Sequence, residues 1–194
     1  VADVVKELGG KPFLTDCNTL YPGSRKNALE HLYCAWENGF TPLSVGCPVI
    51  IGDGLKGTDD IEVPVQGGEY IEKAKIGRAV MDADVFISLT HFKGHETTGF
   101  GGTIKNIGMG CGSRAGKKDQ HSVGKPTIDQ EACRGCKSCL RECANDGLIY
   151  DADARKMSID LEHCVGCGRC IGACNFDAIS FMDSAATKVL NCKM

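Results

Sequence analysis

The sequence predicts two domains: an α/β domain with a mostly parallel sheet over residues 1–126, and a smaller α+β domain over residues 127–194. Two observations predict this arrangement. In the first part, short continuous apolar runs alternate with segments of helical periodicity, which is typical of parallel strands covered by helices. In the second part, one cysteine motif occurs twice with the same spacing. Pro126 marks the boundary between them, because proline interrupts regular structure.

The elements of the first domain follow from apolar patterning. Strands are predicted at residues 12–14, 49–51 and 84–89, with an edge strand at 62–65. Helices are predicted at residues 1–8, 25–38 and 70–81. Ser24 is the expected N-cap of the second helix, whose apolar spacing predicts a buried face formed by Leu29, Leu32, Tyr33 and Trp36. Because residue 1 is Val and the chain opens within a helical pattern, we expect an incomplete N-terminus.

Polar side chains follow the predicted strands. The strand exits carry, in chain order, Asp16 and Asn18, then Asp53, then His91, Lys93 and His95. Since ligands of open α/β sheets bind outside the carboxyl ends of the strands, these residues predict a pocket. Imidazole suits general acid–base catalysis near neutral pH. The alternative is that the Asp and Asn side chains only form turns.

A glycine-rich stretch follows, with eight glycines between residues 94 and 116. Such density favours a backbone that approaches a ligand closely, or a nest of N–H groups around an anion. The interleaved apolar residues argue against the alternative of a flexible loop. We therefore add Lys105 to the three candidate catalytic residues His91, Lys93 and His95. The candidate ligand-binding residues are Asp16, Asn18, Asp53, Gly101, Gly102 and Asn106.

The duplicated motif reads CRGCKSCLREC at residues 133–143 and CVGCGRCIGAC at residues 164–174. Each copy is C-x-x-C-x-x-C-x-x-x-C, the pattern in which three cysteines hold one cubane and the fourth reaches the other. The predicted ligands of a first [4Fe-4S] cluster are Cys133, Cys136, Cys139 and Cys174. Those of a second are Cys164, Cys167, Cys170 and Cys143. Zinc sites and disulfides fit this spacing less well.

This pattern resembles bacterial-type two-cluster ferredoxins, except that Ala144 and Asn175 stand where proline usually follows the last cysteine. The resemblance implies a ferredoxin-like domain. Within it we expect a hairpin from residues 148–150 and 157–159, and a last strand at residues 178–182.

Composition limits the classes of function. The net charge of −3 gives no general case for nucleic acid or membrane binding, and no stretch reaches 18 apolar residues. Five cysteines lie outside the repeat: Cys17, Cys34, Cys47, Cys111 and Cys192. So many free thiols favour a reducing compartment, and we expect the cytoplasm.

Residues 88–121 read SLTHFKGHETTGFGGTIKNIGMGCGSRAGKKDQH. This segment resembles the family named domain of unknown function 362, and the similarity extends over most of residues 5–183. The resemblance implies an α/β part fused to a ferredoxin-like unit. The histidines followed by G-F-G-G and a lysine are also distantly similar to the pocket of nickel-pincer lactate racemases.

These patterns predict an electron-transfer protein that relays low-potential electrons through two [4Fe-4S] clusters, to a partner or to the pocket of its α/β domain. The expected partner is a redox protein or a larger oxidoreductase assembly, with a small anionic ligand as a further candidate. Residues 129–194 carry a net charge of −2, which favours a positively charged partner face. Two alternatives stay open: an oxidoreductase that uses the pocket, and a redox-sensing or structural iron–sulfur protein.

Overall fold

The computed structural model describes residues 1–21, 23–95, 98–121, 125–164, 166, 168–181 and 192–194. The elements of the first part are α1 (Ala2–Glu7), β1 (Leu14–Asp16), α2 (Ala28–Glu37), α3 (Pro42–Val45), β2 (Val49–Ile51), β3 (Asp60–Pro64), β4 (Lys73–Gly77), α4 (Arg78–Met81), β5 (Lys93–His95), β6 (Gly99–Gly101), α5 (Thr103–Lys105), a π-helical turn (Asn106–Gly110) and α6 (Arg114–His121). Those of the second part are β7 (Thr127–Ile128), α7 (Ser138–Glu142), β8 (Leu148–Asp151), β9 (Lys156–Ile159), α8 (Arg169–Ala173) and β10 (Ile179–Ser180).

The first two strands pair in parallel, with Leu14 opposite Val49 and Asp16 opposite Ile51. Their exits therefore lie side by side, as the sequence predicts. The other strand pairs are β3 with β4, β5 with β6, β7 with β10 and β8 with β9, all antiparallel. Across the described residues β1–β2 is thus the one parallel pair, and the mostly parallel sheet stays a prediction.

Two predicted elements of the first part are wrong. The helix expected at residues 70–81 is strand β4 followed by the single helical turn α4. The strand expected at residues 84–89 has no strand conformation, and Val85 is 75% exposed. The pattern of a short apolar segment fits a strand and a helix equally well until its pairing partner is known. Here residues 73–77 form a strand because they pair with β3.

Helix α2 is positioned by polar contacts. Its N-cap is Asn27, whose side chain accepts a hydrogen bond from the Glu30 N–H at 3.1 Å, so the prediction for Ser24 is wrong. The helix buries Ala28 and His31, whereas Leu29 and Trp36 are exposed, contrary to the predicted face. His31 faces inward to a polar partner, since its Nε2 lies 3.5 Å from Asp16 Oδ2 at the end of β1.

The second part has a pseudo-twofold arrangement that follows the repeat. Shifting α7 by the 31 residues that separate Cys133 from Cys164 gives α8. Each sheet combines one strand of each copy, because Ile128 pairs with Ile179 and Leu148 pairs with Ile159. The predicted hairpin of β8 and β9 is confirmed. The last strand is shorter than expected, and Met182 at its predicted end lies outside the described residues.

The core of the second part is not built from that part alone. Its buried residues include Met157, Ile171, Ile179 and Phe181, and Leu20 from the loop after β1 joins them. Leu20 is 1% exposed. The segment between β1 and α2 therefore fixes the cysteine-rich part against the first part.

Replacing Asn27 by Ala should lower the free energy of unfolding by about 1 kcal/mol, because the N–H of Glu30 loses its acceptor. Ser24→Ala is the matched control and should change it by less than about 0.5 kcal/mol. Urea unfolding of the intact chain followed by circular dichroism compares the two. Equal losses in both variants would contradict the assignment of Asn27 as the cap.

Candidate metal centre

The two cysteine loops share an unusual backbone. Gly135 and Gly166 have φ of 63° and 71°, and the next left-handed positions, Lys137 and Gly168, have φ of 62° and 73°. A left-handed residue after each of the first two cysteines reverses the chain, so that neighbouring thiols can turn toward one point. At Gly135 a side chain is also excluded by space, because a Cβ would overlap with the carbonyl of Arg155.

Four of the predicted ligands line one cavity. Cys133, Cys136 and Cys139 of the first copy lie around it together with Cys174, the last cysteine of the second copy. With its opening to solvent the cavity measures about 300 Å³, and apolar residues of the core complete its wall. The structure thus brings together the four cysteines that the sequence analysis assigned to one cluster.

The other predicted set is partly described. The backbone N–H of Gly147 donates to Cys143 Sγ at 3.2 Å. Gly147 also lies against Cys164, since a Cβ at Gly147 would stand 2.8 Å from the Cα of Cys164. The last cysteine of the first copy is therefore beside the first cysteine of the second copy. Cys170 is buried at the start of α8, and Cys167 lies outside the described residues.

The thiols of the first set influence one another. Burial raises the pKa of Cys139 to about 11, and the negative charges of Cys174 and Cys136 contribute to the rise. The hydroxyl of Ser138, 3.5 Å from Cys136 Sγ, holds the pKa of Cys136 below its ordinary value. Closely spaced thiolates in this cavity repel each other, so their joint ionisation calls for positive charge between them.

Within the part of the chain that the structure describes, no three His, Cys, Asp or Glu side chains converge closely enough to hold one metal ion. Zinc thiolates all lie at about 2.3 Å from the same ion. Thiolates of a cubane each bind a different iron, so they stand further apart. The two kinds of centre therefore require different separations of the sulfur atoms.

Two buried cations of the first part reach the second copy of the motif. Lys26 is 5% exposed, and its Nζ donates to the carbonyl of Cys174 at 2.8 Å and to Asp177 Oδ1 at 3.0 Å. Arg114 is fully buried, and it donates to the carbonyls of Lys26 and Lys56. Sequence reasoning missed both residues, because a lysine or arginine in a basic stretch is usually exposed.

Glycines of the second copy make room for these contacts of Lys26 and Arg114, which we call the joint between the two parts. A Cβ at Gly172 would lie 2.9 Å from Nη2 of Arg114 and 3.1 Å from the carbonyl oxygen of Lys26. Gly168 is similarly close to the aliphatic part of Arg114. The equivalent residues of the first copy, 31 positions earlier, are Arg141 and Lys137, both exposed. This replacement of two cations by glycine was the sequence signal for the joint.

The predicted residues at the exits of β1 and β2 do meet. Asn18 donates to Asp53 Oδ1 from its backbone N–H at 2.9 Å and from its side chain at 2.8 Å, and both residues are fully buried. Burial raises the pKa of Asp53, although the Asn18 N–H and the charges of Lys117 and Arg114 oppose the rise. Burial would likewise raise the pKa of Asp16, but the hydrogen bond from His31 helps to hold it low.

The remaining candidates lie on the β5–β6 hairpin. His91 and Lys93 are exposed, and His95 Nδ1 accepts a hydrogen bond from the N–H of Thr98 at 3.2 Å. The side chains of Lys93 and Lys105 flank Gly101, at 3.8 and 3.9 Å from the position of a Cβ there.

The ends of this hairpin carry the last two candidates. Asn106 donates to Thr90 Oγ1 at 3.2 Å, and Gly102 lies against Phe92. The candidate pocket residues therefore fall into two groups: one at the strand exits, where Asn18 and Asp53 are buried, and one on and beside the hairpin, where His91 and Lys93 are exposed. Their union in one pocket stays a prediction.

A larger cavity lies beside β4, the π-helical turn and α6. It measures about 1040 Å³ with its opening, and Cys111, Lys75 and Asp119 are among the residues around it. Lys75 Nζ and Asp119 Oδ2 form an ion pair at 2.7 Å. The glycine-rich stretch forms part of the wall through Gly108, Cys111 and Gly116, and the rest of the wall comes from segments far apart in the chain.

Comparison with known proteins places these features in a family. Residues 1–188 match the family described as Domain of unknown function (DUF362). The chain belongs to this family. A relative, the "Thylakoid-associated protein sll1697" of Synechocystis, is 31% identical over 117 residues, which are 57% of this chain and 30% of that protein. The matched region therefore spans less than a third of the relative. Among the described residues, no helix combines the length and apolarity needed to cross a membrane.

Gly172→Ala tests the joint between the two parts. Alanine normally favours a helix over glycine, but here its Cβ would press on Arg114 and on the Lys26 backbone. We expect the free energy of unfolding to fall by about 1–3 kcal/mol. Arg141→Ala, at the equivalent exposed position, should change it by less than about 0.5 kcal/mol. A stabilised Gly172→Ala protein in thermal unfolding would show that the joint does not form.

Proposed function

We propose that residues 127–194 bind two [4Fe-4S] clusters and that the protein transfers electrons through them. The single observation that carries this proposal is the cavity around which Cys133, Cys136 and Cys139 lie with Cys174. A pair of cubanes requires this exchange, because each short loop binds three irons and the fourth thiolate comes from the other copy.

The second site is supported in the same way, because the first copy provides its last cysteine to the cluster of the second copy. Cys143 and Cys164 both lie close to Gly147, as expected when the fourth ligand of the second cluster is the last cysteine of the first copy. The strand pairing gives the physical reason, because each sheet joins one strand of each copy and so brings the end of one motif beside the start of the other.

The chain's own residues would bind the clusters, orient them and limit their contact with water. Cys133, Cys139 and Cys174 of the first set and Cys170 of the second set are buried, so these ligands would be kept from water. Cys136 is exposed, so one edge of the first cluster would stay close to the surface. When bound, such clusters accept and release single electrons at low potential. Their need for reduced thiols fits a cytoplasmic setting.

The proposed destination of the electrons within the first part is the β5–β6 hairpin with Lys93, together with the neighbouring Lys105. The aliphatic parts of Lys93 and Lys105 both lie beside Gly101, so these lysines are the candidates to hold a small anionic ligand. His91 or His95 would supply acid–base chemistry to it. An oxidoreductase that feeds electrons from the clusters to such a ligand is therefore the second candidate function. It depends on a ligand at this hairpin, whereas electron transfer to a protein partner does not.

Metal analysis of protein purified without oxygen tests the proposal. We expect about eight irons per chain, and a paramagnetic signal after reduction. Cys174→Ser should lower the iron content and change the signal of the first cluster. Cys34→Ser, which alters a thiol on α2, should leave both unchanged. Zinc in place of iron, or full iron in Cys174→Ser, would contradict the proposal.

A further inference from the structure

A buried lysine of the first part lies beside a predicted cluster ligand. We propose that Lys26 is a positioning residue that raises the reduction potential of the first cluster, acting through Cys174. The inference rests on the proposed function, because it concerns the cluster that Cys174 would bind with the three cysteines of the first loop. It is supported by the burial of Lys26, by its bond to Cys174 and by the exposure of the acids that oppose its charge.

Lys26 is removed from water where it meets Cys174. Its side chain is 6% exposed, and its Nζ donates to the carbonyl oxygen of Cys174 at 2.8 Å. Cys174 is itself buried and lines the cavity with the three cysteines of the first loop. Lysine is almost never buried without partners, because its charge loses the stabilisation that water provides. The charge of Lys26 is therefore held against the backbone of one predicted ligand.

The charge of Lys26 would affect the two redox states of the first cluster unequally. Reduction adds one negative charge, and the charges and hydrogen bonds around a cluster are among the factors that set its potential. A cation stabilises the more negative, reduced state more than the oxidised state, and this effect is larger in a buried setting than in water. Lys26 should therefore make the first cluster easier to reduce.

Two acids oppose this charge, but both reach water. Asp177 Oδ1 lies 3.0 Å from Lys26 Nζ, and Glu30 Oε2 lies 4.0 Å from it. The side chain of Asp177 is 50% exposed and that of Glu30 is 43% exposed. Because solvent screens exposed charges more strongly than buried ones, these acids weaken the field of Lys26 without cancelling it. Removal of the Asp177 charge should therefore raise the potential further.

The first copy of the motif has a different arrangement at the equivalent cysteine. Cys143 stands 31 residues before Cys174, and its neighbour Glu142 pairs with Lys56. The side chain of Lys56 is 55% exposed, so water screens its charge. Lys56 thus offers a matched control, because it is a cation close to a predicted cluster ligand but is not buried.

A purely structural role for Lys26 is the alternative, since Arg114 also donates to the Lys26 carbonyl within the joint. A structural lysine would affect folding and iron loading, whereas the proposed role changes the potential of a fully loaded protein. Two conservative variants separate these roles. Lys26→Gln keeps a hydrogen-bond donor without the charge, and Lys26→Arg keeps both.

Redox titration of the anaerobically purified, iron-loaded chain, followed by its paramagnetic signal, tests the inference. The signal of the first cluster is the one that changes in Cys174→Ser. At a fixed applied potential, Lys26→Gln should lower the ratio of reduced to oxidised first cluster about tenfold, a shift of about 59 mV for one electron. Lys26→Arg and Lys56→Gln should change this ratio by less than about threefold. Asp177→Asn, which suits the left-handed backbone at this position, should raise it.

An unchanged potential in iron-loaded Lys26→Gln, or an equal shift in Lys56→Gln, would overturn the inference. If Lys26→Gln does not load iron, Asp177→Asn decides, because it leaves the bond from Lys26 to Cys174 in place. An unchanged or lower potential in that variant then contradicts the inference. A wild-type protein without clusters refutes the proposed function instead, whereas a protein with both clusters whose potentials ignore the charge of Lys26 refutes this inference alone.

Discussion

A fully buried guanidinium holds the two parts of this molecule together. Arg114 begins α6 of the first part, donates to backbone carbonyls of the loops around Lys26 and Lys56, and fills the space left by Gly168 and Gly172. A charge taken out of water requires full compensation by polar groups, so its surroundings are tightly constrained. That constraint sets how the second cysteine copy is presented to the first part.

The joint extends from this arginine to the strand exits. Asp53 contributes negative charge near Arg114 and accepts two hydrogen bonds from Asn18, and the chain continues from Asn18 to Leu20 in the core of the second part. Polar residues at a sheet edge are commonly taken as ligand-binding residues. Here Asn18 and Asp53 bind each other, and their most direct structural consequence is to fix the loop that carries Lys26. The exits of β1 and β2 thus fix the loop through which the first part contacts the proposed cluster-binding part.

The two copies of the cysteine motif are alike in their strands and cysteines but differ at two positions beside the cysteines. Strand exchange between the copies places Cys174 among the cysteines of the first copy, and this requires the two halves to be equivalent. The proposed electron relay requires them to differ, because it needs one end for a partner and one for its destination. Glycine in place of Lys137 and Arg141 achieves the difference with two substitutions. Membership of the DUF362 family gives no established activity with which to compare this division of roles.

The sequence by itself determined the grouping of Cys133, Cys136 and Cys139 with Cys174 and the hairpin of β8 and β9, because both follow from the spacing of residues along the chain. The boundary near Pro126 stays a prediction. The tertiary structure decided which face of α2 is buried, because His31 contacts Asp16. It also decided that residues 73–77 form a strand, because β4 pairs with β3. It also decided that Lys26 and Arg114 are buried beside the second copy. A charged side chain is buried only where distant segments bring acceptors to it, and local sequence does not contain that information.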